Sequence, residues 1–208
     1  WRIRRVLRSP DWISGAVPPL AVPGVSAREG DYLVAVDGRA VTAGREVYAA
    51  FEGLAGKPVR LTLSDKPGGD SARDVLVVPA ESESRFRYLD WVEGNLRKVE
   101  QASNGRIGYI HLPDTFLSSA AMFPLYWYGQ TRKEGLVIDG RYNGGGLDPD
   151  VFLRRMDAPI SFYWTRRHST DYSTPLVATR AHMALLTNRQ AGSGGDMLPA
   201  EFRLRKMG

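Results

Sequence analysis

The 208 residues contain no cysteine, which excludes disulfides, zinc–thiolate sites and cysteine nucleophiles. Histidine occurs three times, at His111, His168 and His182, without the close His/Asp/Glu spacing of a metal centre, so neither a metal nor a cofactor is expected. No apolar run approaches the ~20 residues of a membrane-spanning helix. Trp1-Arg2-Ile3-Arg4-Arg5 is not followed by the apolar stretch of a signal peptide, and no membrane partner is expected. Long basic tracts are also missing. The net charge is +5 and the pI about 9.6, but the arginines come singly or in pairs (4/5, 154/155, 166/167), which argues against a nucleic-acid groove. No Gly-Lys-Ser/Thr follows either glycine-rich turn, so a P-loop is excluded.

What remains is ordinary globular composition, 43% hydrophobic and 25% charged, with enough length for one large domain or two small ones. Residues 1–80 read as a small β-rich unit. Strands are expected at Ile3–Leu7, within Gly30–Gly38, at Val59-Arg60-Leu61-Thr62-Leu63 by strict alternation, and at Val75–Val78; a helix is expected over 44–54. Residues 81–104 read as a linker leading into a helix from about Arg87 to Gln101. From 105 the pattern becomes α/β. Strands are expected at Ile107–Ile110, Leu136–Asp139, Ile160–Trp164 and Met183–Leu186, and helices at Phe116–Gln130, Asp148–Met156 and Met197–Met207.

The densest signal lies at Asn188-Arg189-Gln190-Ala191-Gly192-Ser193-Gly194-Gly195-Asp196. A strand runs into a turn, one hydroxyl stands among three glycines, and a helix follows. An acyl-transfer enzyme places its nucleophile in such a setting, because substrate can approach closely and the N–H after the serine can face an oxyanion. A plain strand-to-helix turn or a phosphate loop would look similar. A second glycine turn, Arg141-Tyr142-Asn143-Gly144-Gly145-Gly146, also follows a short buried strand. Two such turns at the carboxyl ends of parallel strands can share one crevice. The acids Asp139, Asp148, Asp150 and Asp157 read as strand-end and helix-cap residues rather than an acid/base set, and Asp196 as a structural acid in a first helical turn.

Leu20–Val25 and Gly30-Asp31-Tyr32-Leu33-Val34-Ala35-Val36-Asp37-Gly38 resemble the small-residue turn and Gly-Asp signature of PDZ domains, with Asp37 in place of the usual asparagine. That resemblance implies recognition of extended peptides beside a helix. Gly105–Pro113, Gly135–Asp139, Arg141–Gly146 and Asn188–Asp196 are similar, in this order, to the S41 serine peptidase clan, in its tricorn-like branch. The implied architecture is a PDZ-like β-rich domain (1–80), a connecting segment (81–104) and an incomplete S41-type, ClpP/crotonase-like α/β core (105–208), α+β and α/β together. The resemblance implies Ser193 as nucleophile and, as oxyanion donors, the backbone N–H of Gly194 and one N–H of the Gly144–Gly146 turn, with Gly144 and Gly145 as candidates. It also implies a peptide or unfolded-protein substrate, a homo-oligomeric full-length protein and a cytoplasmic location. The general base of the family falls outside these residues, and Lys206 comes too early to replace it. The segment is therefore expected to be part of a longer polypeptide and inactive alone. The competing expectation is a non-catalytic peptide-binding or assembly module that keeps the fold.

Overall fold

The computed structural model describes residues 1–208. The chain divides into two compact units, Trp1–Glu93 and Gly94–Gly208.

In the first unit, four antiparallel strands lie in the order β2-β1-β3-β4: β1 (Tyr32–Val36), β2 (Arg39–Ala40), β3 (Val59–Ser64) and β4 (Arg73–Val77). Asp37 (φ 47°) and Gly38 (φ 76°) both take positive φ between β1 and β2, as a tight hairpin whose twist matches its strands requires. The Asp37 carboxylate also accepts the Arg60 N–H at 2.8 Å, tying the turn to β3. Val59, Leu61 and Leu63 point inward with Leu33, Val36, Val75 and Val77, and form the core that the alternation predicts. Beneath the Gly30-Asp31 corner, the buried Asp31 carboxylate accepts the Arg28 N–H at 2.7 Å and pairs with Arg73.

Two expectations for this unit change. Residues 44–54 contain only a 3-10 turn, Val47–Phe51, whose Val47, Ala50 and Phe51 pack on the core. Two glycines, Gly44 and Gly53, bracket that segment, and so short a piece cannot repay the nucleation of an α-helix. Ile3–Leu7 is not a strand: only Arg2 bridges to Tyr32, and the N–H groups of Val6 and Arg8 donate to the Glu29 and Asp90 carboxylates instead of to a neighbouring strand.

Helix α1 (Ser84–Ala102) is continuous through Gly94 and begins three residues before the expected start, within the expected linker. In the second unit three parallel strands, β5 (Ile107–His111), β6 (Gly135–Asp139) and β9 (His182–Leu186), lie in the order β5-β6-β9. Helices α2 (Leu117–Trp127), α3 (Asp150–Met156) and α4 (Gly194–Leu204) accompany them. Phe123 stacks on Trp127 (5.1 Å) and meets Phe152 edge-on (5.6 Å), and the Trp127 indole N–H donates to the Val177 carbonyl. This aromatic cluster is core, while its neighbour Tyr128 is exposed. The outer edge of β5 is closed by side chains. Ser103 Oγ accepts the Ile107 N–H, and the Gln130 amide both accepts the Tyr109 N–H (2.7 Å) and donates to the Tyr109 carbonyl (3.0 Å). Gly108 is needed there, because a Cβ would overlap Gln130.

The expected strand at Ile160–Trp164 is shorter and lies outside this sheet. Residues Phe162–Trp164 (β7) pair antiparallel with Tyr172–Thr174 (β8), a strand the sequence reading did not foresee. Trp164 is 52% exposed; it stacks across the hairpin on Tyr172, and its N–H donates to Thr174 Oγ1.

Candidate active site

Both glycine turns leave the carboxyl ends of parallel neighbours, β6 and β9, and so emerge on one side of the sheet. Each is fixed by its own sequence. After β6, Asn143 is fully buried and serves as the pivot. Its Nδ2 donates to the Leu112 carbonyl (2.9 Å), its Oδ1 accepts the Gly145 N–H (2.8 Å), and its carbonyl accepts the Gly192 N–H (3.1 Å). Gly144 N–H donates to the Pro113 carbonyl at 2.9 Å, and Gly145 carbonyl accepts the Thr115 N–H at 3.0 Å. Asn188 Oδ1 takes the Tyr142 N–H, so the second turn also braces the first.

The turns interlock through their missing side chains. A Cβ on Gly145 would stand 2.7 Å from both the Gly192 carbonyl oxygen and Ser193 Cβ; one on Gly195 would stand 2.7 Å from the Asn143 oxygen. One on Gly194 would overlap Thr115 Oγ1 and lie 3.1 Å from Gly146 N. Glycine is therefore required at these positions by close backbone approach.

Ser193 sits at the junction with φ 55° and ψ −123°, a region that L-residues rarely occupy. Its carbonyl accepts the Asp196 and Met197 N–H groups and starts α4, and its side chain is exposed. Ser193 is thus an exposed residue on a strained backbone at a helix N-terminus, a strand–turn–helix setting of the kind that can present a nucleophile. The helix begins at Gly194, three residues before the expected start, so Asp196 falls in its first turn.

Two turn amides are free to face an incoming group. The Gly144 and Gly145 N–H groups, the expected alternatives for this turn's oxyanion donor, are occupied by the Pro113 carbonyl and the Asn143 side chain. The Gly146 and Gly194 N–H groups have no acceptor within the protein. Which amide stays free is decided by the Pro113 carbonyl and the Asn143 side chain, and the run of three glycines gives no sign of it.

Two families of known proteins match the chain. Residues 1–82 match the tricorn protease PDZ domain family, and residues 106–208 match peptidase family S41. The chain is a tricorn-like PDZ–S41 segment. It is 36% identical over its whole length to tricorn protease homolog 1 of Streptomyces coelicolor, covering 19% of that protein. It is 34% identical over 83% of its length to tricorn protease of Thermoplasma acidophilum, covering 16% of it. Its structure overlays the crystal structure of the tricorn protease with a TM-score of 0.90 at 29% identity, over 99% of this chain and 20% of that one. The segment thus spans about a fifth of the length of such relatives.

Within the S41 segment, a buried polar network underlies the first turn. Asp139, at the end of β6, accepts hydrogen bonds from the Arg141 guanidinium (2.9 Å from Nε) and from the Tyr109 hydroxyl (2.6 Å), which itself accepts from Asn95. Burial alone would push the Asp139 carboxyl up, but these partners outweigh it and hold it below its ordinary range. Burial and the Asp139 contact push the Tyr109 phenol up; the same carboxylate raises Arg141. His111 Nε2 lies 2.9 Å from the Arg141 carbonyl, so that nitrogen carries the proton, and burial pushes the imidazole down and keeps it neutral.

The other candidates do not join Ser193. His182 lies at the amino end of β9, opposite the turns, and His168 is exposed in the β7–β8 connection. Asp150 pairs with Arg154 and Arg205, and Asp148 accepts the Asp150 N–H. Lys206 is exposed beyond α4. No group of three His, Asp or Glu side chains is placed to hold a metal ion, and no helix is long and apolar enough to cross a membrane.

Proposed function

We propose that this segment carries the nucleophile and oxyanion site of a serine peptidase that cleaves unfolded chains or oligopeptides. The observation that carries the reading is Ser193: an exposed hydroxyl on a strained, non-glycine backbone, beside two amide hydrogens with no protein acceptor. Ser193 Oγ attacks the scissile carbonyl, forming the Oγ–C bond, and its proton passes to a base and then to the leaving amine. Water next cleaves the acyl-enzyme. The Gly194 and Gly146 N–H groups receive the oxyanion; such preorganised donors are worth about 3 kcal/mol each in the barrier.

A serine hydroxyl requires a base. None of the three imidazoles in the chain is placed to serve, since His111 is held on the Arg141 carbonyl and the other two lie away from the turns. The base is therefore assigned to another part of the polypeptide that carries this segment. By resemblance to tricorn protease, that polypeptide is a cytoplasmic homo-oligomer whose PDZ unit engages extended peptide. The test compares hydrolysis of an unfolded peptide by the longer protein and by its Ser193→Ala variant. Loss of turnover supports the proposal, and equal turnover leaves the segment as a peptide-binding module.

A further inference from the structure

Thr115 is 2% exposed, and its Oγ1 is the one buried side-chain oxygen or nitrogen in the protein without a hydrogen-bond partner. Buried hydroxyls are ordinarily satisfied, so an exception calls for a reason. Its position supplies one. The Thr115 N–H donates to the Gly145 carbonyl, and its own carbonyl carbon and oxygen each lie 2.6 Å from where a Gly146 Cβ would stand. Its hydroxyl fills the place of a Gly194 Cβ, a point that also lies 2.5 Å from the Gly146 oxygen and 3.1 Å from the Gly146 nitrogen. Thr115 is thus wedged between Gly146 and Gly194, the two turn residues whose N–H groups have no acceptor within the protein. Its hydrogen is claimed by neither turn.

We infer that Thr115 is a positioning residue for the oxyanion, its hydroxyl standing behind the Gly146 and Gly194 donors without touching substrate. The inference rests on the serine-peptidase reading. An uncommitted hydroxyl can turn its hydrogen toward negative charge as that charge develops. In a buried setting such a dipole acts at short range with little screening. It favours the transition state over the bound substrate, because the substrate carbonyl carries far less charge. A plain packing wedge would work equally well with a methyl group in place of the hydroxyl.

The experiment uses the longer protein and measures kcat, KM and the inhibition constant of a peptide aldehyde, which forms a tetrahedral adduct with serine. Thr115→Val keeps the shape and removes the hydroxyl; Thr115→Ser keeps the hydroxyl. The valine variant is expected to lose about tenfold in kcat with KM unchanged, and a similar factor in aldehyde affinity, with no fall in melting temperature. The serine variant should stay within about twofold of the parent. A valine variant with parental kcat, or one whose kcat loss tracks a fall in melting temperature, overturns the inference. Should the valine variant not fold, Thr115→Ala replaces it, and equal kcat for the alanine and serine variants overturns the inference. Ser193→Ala separates the two levels. Unchanged turnover there removes the peptidase reading itself, whereas abolished turnover beside an indifferent Thr115→Val removes only the role of Thr115.

Discussion

Replacing Gly145 by alanine tests whether the two turns mesh as described. Gly145 has φ 83°, where an L-residue costs about 1–2 kcal/mol. Its new Cβ would stand 2.7 Å from the Gly192 oxygen and Ser193 Cβ and 3.1 Å from Gly194 N. Two of these three neighbours are backbone atoms and the third is the Cβ of Ser193, so none can swing aside and the serine turn itself must move. Forced overpacking of this kind costs about a further 1–3 kcal/mol. Together the Gly145→Ala change should destabilise the peptidase unit by about 2–5 kcal/mol. For a unit of this size, that corresponds to a melting temperature lower by at least about 8 °C. Gly144→Ala is the control. Its φ is ordinary and its Cβ would meet only the Pro113 oxygen at 3.9 Å, so the cost should stay within about 0.5 kcal/mol. Thermal unfolding of the 208-residue chain by circular dichroism reads both variants. Coincident melting curves for the two would refute the interlocked arrangement.

Ser193→Gly should be more stable than Ser193→Ala by about 1 kcal/mol, because glycine relieves the φ 55° backbone that alanine retains; a less stable glycine variant in urea unfolding contradicts the strain. The pH dependence follows from His111. Burial lowers its folded pKa below the ordinary 6.5, so the unfolded chain binds the proton first; the stabilising contribution is complete above 6.5 and disappears as pH falls through the lower folded value. Urea unfolding at pH 7 and pH 5 should show a decline that His111→Gln lessens, and equal declines in both proteins would rule this out. The depressed Asp139 carboxyl acts in a separate window, below its ordinary 3.8, and does not confuse the comparison.

Much of the architecture was legible from local pattern. Val59, Leu61 and Leu63 alternate and are buried, and Asp37-Gly38 is a hairpin turn because both residues accept positive φ. Leu136–Asp139 and Met183–Leu186 announce β6 and β9 by apolar runs that stop at glycine turns. The outlying features depend on distant partners. Residues 44–54 carry apolar side chains at helical spacing, yet packing on the sheet holds them in a 3-10 turn. The β7–β8 hairpin survives exposed through a Trp164–Tyr172 stack and through Arg180 and Arg166 lying over Tyr163 and Tyr172, pairings that no period in the sequence reveals. Ser193 could be singled out from its neighbours, because a lone hydroxyl among glycines has a local meaning. The choice of Gly146 over Gly144 and Gly145, and the part played by Thr115, could not. They follow from which amides the Pro113 carbonyl and the Asn143 side chain occupy, and from where the distant segment 112–115 packs on the turn.

The clamp that Gln130 and Ser103 place on β5 gives the parallel sheet a direction of growth. One border is sealed, and a strand arriving there would have to displace both side chains from the main chain before it could pair. On the opposite border, β9, no side chain is bonded to the main chain, and Gly208 lies against the Met183 carbonyl. A strand paired at that border would lie next to the run that delivers Ser193, so that enlargement of the sheet and support of the serine turn would fall at the same place.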